Sequence, residues 1–176
     1  MFKKIALATV IALTLFLGYV SMKPSHFHYE KSSVINAPPD KIFAYISNFK
    51  MGKEWNPFDQ RDPNIKRNFL GTDSQVGSIM EFEGNSDAGS GSLELLKVVP
   101  NELVEMRLIM TKPMAADNLI QYRLKPIEGG TEFTWSMSGD GGFIGKLFCT
   151  FIDVEKMMLD QFNIGISNLK KVVETK

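Results

Sequence analysis

LFCTFIDVEKMMLDQFNIGISNLKKVVETK, residues 147–176, is the stretch whose reading decides the fold. Phe148, Phe151, Val154, Met158, Phe162, Gly165, Leu169 and Val172 recur at steps of three and four. Asp153, Lys156, Asp160, Asn163, Ser167, Lys170 and Glu174 keep the same rhythm on the other side. Two interleaved series of this kind predict one long amphipathic helix from Leu147 onward, with one buried and one wet face. The apolar stripe is wide and rich in Phe and Met, so it needs a broad apolar partner. The strands that precede it supply one.

Those strands alternate apolar and polar residues, as half-buried strands do. Met80 and Phe82 share a face in residues 77–83, with Glu81 and Glu83 on the wet side. In residues 102–110, Val104, Met106, Leu108 and Met110 point inward, and Glu105 and Arg107 outward. Ile120, Tyr122 and Leu124 form one face of residues 118–126. Phe133, Trp135 and Met137 do the same in residues 131–139. Shorter strands are expected at 65–70 and 93–99, and Glu128-Gly129-Gly130 reads as a tight hairpin turn. A meandering antiparallel sheet with one buried face follows.

Ahead of it, residues 27–36 read as a first strand that stops at Pro38-Pro39, since proline cannot continue a central ladder. Proline is tolerated in a first helical turn, and Ile42, Phe43, Ile46 and Phe49 mark the helix that follows. A second short helix or turn covers residues 51–55. The loop Trp55-Asn56-Pro57-Phe58-Asp59 is expected to pin its aromatics against something apolar, as core closure or as a lid over a cavity. Strands segregated from helices define an α+β class. A curved sheet of about six or seven strands around the long helix would leave a cavity between them.

At the N-terminus, Lys3 and Lys4 precede an uncharged run from Ile5 to Met22. At ~1.5 Å per helical residue this run spans roughly 27 Å, about one bilayer core. An uncleaved anchor, a cleaved secretory signal and a buried helix compete. A run apolar all round with charged flanks disfavours the buried helix. The exit Gly18-Tyr19-Val20-Ser21-Met22 offers no clear small-x-small cleavage site, and no cysteine stands there for a lipoprotein anchor. The anchor is the preferred reading, with the two lysines inside and the remaining chain on the non-cytoplasmic side, secreted or periplasmic if the segment is cleaved. The expected organisation is a membrane segment 1–22, a connector 23–28 and a domain 29–176.

Composition narrows the function. Twenty basic and twenty acidic residues cancel, which speaks against nucleic acid as a partner. Ten Met and thirteen Phe suit either a filled core or an adaptable apolar site. Cys149, alone, allows no internal disulfide and reads as a small buried residue. His26 and His28 stand in the connector with no third ligand nearby, so no metal or other cofactor is expected. No nucleophile elbow, zinc-protease pair or phosphate loop occurs in the sequence. Tyr122 is the best candidate for a polar handle inside the cup, against the alternative that its hydroxyl is satisfied locally.

The order of landmarks resembles the START-like (SRPBCC) superfamily, in its polyketide cyclase/dehydrase and lipid-transport branch. The resemblance is carried by Ile35-Asn36-Ala37-Pro38-Pro39-Asp40-Lys41-Ile42-Phe43 and by Trp55-Asn56-Pro57-Phe58. It continues in Gly129-Gly130-Thr131-Glu132-Phe133-Thr134-Trp135, and in Asp153-Val154-Glu155-Lys156 leading into Phe162-Asn163-Ile164-Gly165. It implies a helix-grip fold, with a curved antiparallel sheet holding the C-terminal helix around an apolar pocket. None of these landmarks is a catalytic signature.

Two functions are therefore weighed. One is an anchored, non-catalytic cup for a hydrophobic or amphipathic molecule such as a lipid. The other is a cyclase/dehydrase-type enzyme, which needs a polar group in the cup to move a proton. Two or more buried ionisable side chains converging in the pocket would count against the first, and a wholly apolar lining against the second. A pocket below the ~300–1,000 Å³ of ordinary ligand sites would leave a filled domain acting through its surface. The residues expected to line the pocket are Trp55, Phe58, Met80, Phe82, Met106, Met110, Tyr122, Trp135, Met137, Met158 and Phe162.

Overall fold

A computed structural model describes residues 2–175 of the 176-residue chain. Helix α1 (Phe2–Met22) is uncharged beyond Lys3 and Lys4 and stands almost wholly exposed, with only Val20 buried. Strand β1 (His26–Ile35) follows three residues later, so both histidines of the expected connector belong to the strand. Helix α2 (Pro39–Ile46) begins on the second proline, as a first-turn proline allows. Phe49 falls in a separate 3₁₀ turn (Phe49–Met51), and helix α3 (Gly52–Trp55) is a single turn.

Strands β2 (Lys66–Leu70), β3 (Ile79–Glu83), β4 (Ser90–Val99), β5 (Leu103–Lys112), β6 (Ala116–Ile127) and β7 (Gly130–Asp140) form an antiparallel meander. Strand β1 returns to pair with β7, giving seven strands among the described residues in the order β1-β7-β6-β5-β4-β3-β2. The alternation read from the sequence sets the inner face. Met80, Val104, Met106, Ile120, Tyr122, Leu124, Phe133, Trp135 and Met137 are buried. The β6–β7 turn is the two-residue loop Glu128-Gly129 between paired Ile127 and Gly130, with Gly129 at φ +80°, where L side chains are rare.

The C-terminal stretch departs from expectation. It is two helices, α4 (Gly142–Phe151) and α5 (Val154–Glu174), broken at Ile152-Asp153. Asp153 caps α5, its Oδ1 accepting from the Lys156 N–H at 2.9 Å. It is not a member of a wet helical face. Helix α5 buries Phe162, Gly165, Ile166, Leu169 and Val173 against the sheet, while Phe148 and Phe151 on α4 are exposed. Cys149 is exposed on α4 as well, contrary to the reading of it as a buried small residue. The architecture is otherwise α+β, with a curved sheet gripping α5.

Candidate functional site

An aromatic cluster closes the inner end of the space between sheet and helix. The Trp135 ring stacks on Phe162 of α5 at 4.5 Å and an interplanar angle of 18°. Tyr122 meets Trp135 edge-on at 5.3 Å, and Trp55 does so at 5.5 Å. Gly165 permits this approach: a Cβ there would lie 2.5 Å from Trp135 Cζ3 and 2.9 Å from Pro57 Cδ. The Trp55 indole donates to the Tyr45 carbonyl at 3.3 Å, and Asn168 of α5 donates to the Trp55 carbonyl, also at 3.3 Å. Helix α5 is thus tied to the end of α3 and, where Asn168 also donates to Gln60 Oε1 at 3.4 Å, to the loop that follows it. The buried Trp135 Nε1 has no hydrogen-bond partner.

Beyond this cluster lies a cavity of about 350 Å³, partly open to the outside. Its walls include Met80, Phe82, Met110, Met137 and Met158, with Phe58, Tyr122, Trp135 and Phe162 toward the aromatic end. Nine of the eleven residues expected at the pocket therefore lie on its walls. Trp55 and Met106 do not; both are buried in the core behind it. An inward-facing position can belong either to the solid core or to the cavity wall, and strand parity is identical for the two.

The loop after α3 forms one side. Arg61 lies over the Phe58 ring at 4.8 Å and donates to the Asp87 carbonyl at 3.3 Å, which joins the loop to the β3–β4 turn. Asp62 Oδ2 adds a second tie by accepting from the Asn85 N–H at 2.8 Å. The aromatic-rich loop thus walls the cavity rather than only closing the core.

The lining is not wholly apolar. Asp59 and Asn118 also reach the cavity, and neither was among the expected lining residues. Asn118 has the same strand parity as Ile120 and Tyr122, a signal present in the sequence. Asp59 sits in an irregular loop, where no periodicity reports orientation. Its Oδ1 accepts from Arg67 Nε at 3.2 Å and Nη2 at 3.1 Å, and its carbonyl accepts from Nη2 at 2.7 Å. Burial raises the Asp59 carboxyl above its ordinary range, against the opposing pull of the Arg67 guanidinium. Burial, with the Asp59 charge second, pushes the Tyr122 hydroxyl far upward, so it stays a protonated donor across ordinary pH. The arrangement offers an apolar chamber with a few polar contacts, the usual make-up of a small-molecule site. Among the described residues, no group of three or more His, Cys, Asp or Glu side chains is placed to hold a metal.

A seven-stranded antiparallel sheet curved around a C-terminal helix, with an apolar cavity between them, defines a helix-grip domain. Residues 26–174 match the family described as polyketide cyclase/dehydrase and lipid transport, and the chain belongs to that family. The fold is similar to that of protein CV1439 from Chromobacterium violaceum, at 18% identity and a TM-score of 0.57, covering 86% of this chain and 99% of that one. It is similar also to Aha1 from Colwellia psychrerythraea, solved as a dimer, at 20% identity and a TM-score of 0.59, covering 84% and 96%. The third similar structure is Ara h 8.0201, at 13% identity and a TM-score of 0.60, covering 86% and 99%. At these identities the likeness is one of fold. A search of curated proteins found no match. The family supports binding of a hydrophobic ligand as the general activity.

Proposed function

We propose that this chain is a membrane-anchored binding module that takes a hydrophobic or amphipathic small molecule, lipids included, into its cavity without chemical change. The observation that carries the reading is the cavity of about 350 Å³, walled mainly by Met and aromatic side chains. Its volume lies within the ~300–1,000 Å³ of ligand sites, at the small end. Flexible, polarizable Met side chains adapt to ligands of varied shape. Phe58, Met80, Phe82, Met110, Tyr122, Trp135, Met137, Met158 and Phe162 would touch the ligand, while Trp55 and Met106 would support the wall from behind. The Tyr122 hydroxyl would donate to an acceptor oxygen on the ligand.

Helix α1 has the length and composition of a membrane span or of a signal sequence. Its near-complete exposure disfavours a core helix, and the reading taken here is a retained single-pass anchor with the domain on the non-cytoplasmic side. Native mass spectrometry of the full chain, extracted from its own host's membranes in mild detergent, tests the proposal. A bound hydrophobic adduct of one-to-one stoichiometry is the expected result. Bare protein across several gentle preparations contradicts it.

One observation favours a second reading. The largely buried Asp59 and the buried Tyr122 line the same cavity, and ionisable groups placed in the pocket are what a cyclase/dehydrase-type enzyme needs. A carboxyl raised by burial is a candidate general acid or base. Against this, Arg67 holds the same carboxylate oxygen from two donors, an arrangement that also serves structure alone. In the enzyme reading, a hydroxylated ligand bound to the native chain loses the mass of one water with time, and keeps it in Asp59→Asn. Unchanged mass in both removes this reading.

A further inference from the structure

Helix α4 is apolar apart from Lys146 and a few small or polar residues, yet none of its ten residues is buried. Phe143 is 43% exposed, Ile144 54%, Phe148 44% and Phe151 72%, and Ile152 continues the patch at 42%. Contiguous exposed apolar surface of this kind marks an interaction site. Helix α1 identifies what covers it, because α4 packs on α1. The Phe151 ring meets Phe16 at 5.9 Å. Lys146 Nζ donates to the Ser21 carbonyl at 3.0 Å, and Lys23 Nζ donates to Thr150 Oγ1 at 3.1 Å.

Phe16 lies six positions before the end of α1 at Met22. At ~1.5 Å per residue, α4 therefore reaches about 9 Å down the α1 axis from its exit. A helix lying in the headgroup–acyl boundary is immersed by ~5–10 Å, so the two depths agree. The single charge on α4 fits this placement. Lys146 extends back to the last turn of α1, as a lysine does when its stem lies in an apolar layer and its ammonium seeks the polar one.

We propose that α4 lies in the bilayer interface beside α1, with its open apolar face covered by lipid. This rests on the reading of α1 as a retained anchor. The placement also orients the cavity. Asp140, the residue at which β7 ends before α4, pairs with His26, where β1 begins after α1. Next to that pair, Gly139 pairs with Asn118 on the cavity wall. The wall residues Met110 and Pro113 belong to the same end of the sheet. The exposed Met114 there, in the β5–β6 connection, extends the apolar surface toward the rim. A ligand dissolved in the bilayer thus meets the cavity rim beside the interface.

The full chain, reconstituted in phosphatidylcholine–phosphatidylglycerol vesicles, tests this by site-directed spin labelling. Replacing Cys149 with Ser removes the only native cysteine. Single cysteines are then placed as Phe148→Cys or Ile144→Cys on α4, Leu13→Cys within α1, and Thr72→Cys in the β2–β3 loop at the opposite sheet end. Collisions with oxygen, which concentrates in lipid, are compared with those of a water-soluble nickel chelate. Labels at 144 and 148 are expected to favour oxygen severalfold relative to the label at 72. Nickel-dominated labels at 144 and 148 beside an oxygen-dominated label at 13 overturn the proposal and leave the anchor standing. A water-like label at 13 overturns both. The fate of the ligand reading is decided separately, by co-purification.

Discussion

Helices α4 and α5 are separated by two residues and differ in what they touch. Helix α5 lays Phe162, Ile166, Leu169 and Val173 on the inner face of the sheet and leaves its charged side wet. Helix α4 buries nothing in the domain and packs on α1. Both carry apolar residues at helical spacing. Periodicity reports that a face is apolar; it does not distinguish a protein core from a lipid layer, because both are apolar media. The difference shows instead in composition opposite the stripe. In α5 that side carries Lys156, Asp160 and Lys170, whereas Lys146 is the only charged residue in α4.

Substitutions on the two helices should respond accordingly. Phe162 is fully buried against Trp135, so Phe162→Ala is expected to cost about 3–5 kcal/mol in denaturant unfolding. Phe151→Ala, at a position 72% exposed, should change domain stability by less than ~0.5 kcal/mol. Equal losses at the two positions would erase the distinction between the helices.

A charged pair at the cavity, between β2 and the loop after α3, offers a second contrast with α4. Arg67 and Asp59 form a largely buried pair, with side chains 19% and 11% exposed. Arg67→Ala leaves the carboxylate unpaired and should cost about 3 kcal/mol near neutral pH. Without the guanidinium, burial alone acts on Asp59 and raises its folded pKa further above the unfolded value of ~3.9. The folded chain then holds the proton more tightly than the unfolded chain. Stability of the variant should accordingly be greatest below pH ~4, fall as pH rises through the folded pKa, and level off above it. Lys146→Ala on α4 should show neither the loss nor the pH dependence.

Smaller effects sharpen the boundary. Gly165→Ala drives a methyl into the Trp135 ring and should cost about 1–3 kcal/mol, with lowered occupancy of the cavity. Asp153→Ala removes the α5 cap and should cost about 1 kcal/mol, measured by thermal or denaturant unfolding. If a continuous helix formed through residue 153 instead, helical content would rise rather than fall in circular dichroism.

Most of the sheet was legible because period-two alternation and the Glu128-Gly129 turn constrain register residue by residue. The wall residues Met80, Phe82, Met110, Tyr122, Trp135 and Met137 came from that parity. Trp55 and Met106 show where parity stops, since core and cavity share one face. The break at Ile152-Asp153 had a signal that the unbroken apolar rhythm obscured: Asp153 is a favoured N-cap residue, and Glu155 falls in the first turn, where acidic side chains suit the helix dipole. Cys149 had no such signal: a lone cysteine without a neighbouring histidine reads as a small buried residue, and its exposure follows from the placement of α4 outside the core. Asp59 had no local signal. Its partner Arg67 lies eight residues away on a strand, and only the folded loop brings them together.

The central claim is that the space between α5 and the sheet holds an apolar ligand. Titrating the full chain in detergent with a fluorescent fatty acid, beside a Met110→Trp variant that fills the cavity, tests it most directly. Saturable one-to-one binding that quenches the native tryptophans, and its loss in Met110→Trp with the fold intact by circular dichroism, is the predicted result. Equal binding by the native and filled chains would place the ligand elsewhere and contradict the account.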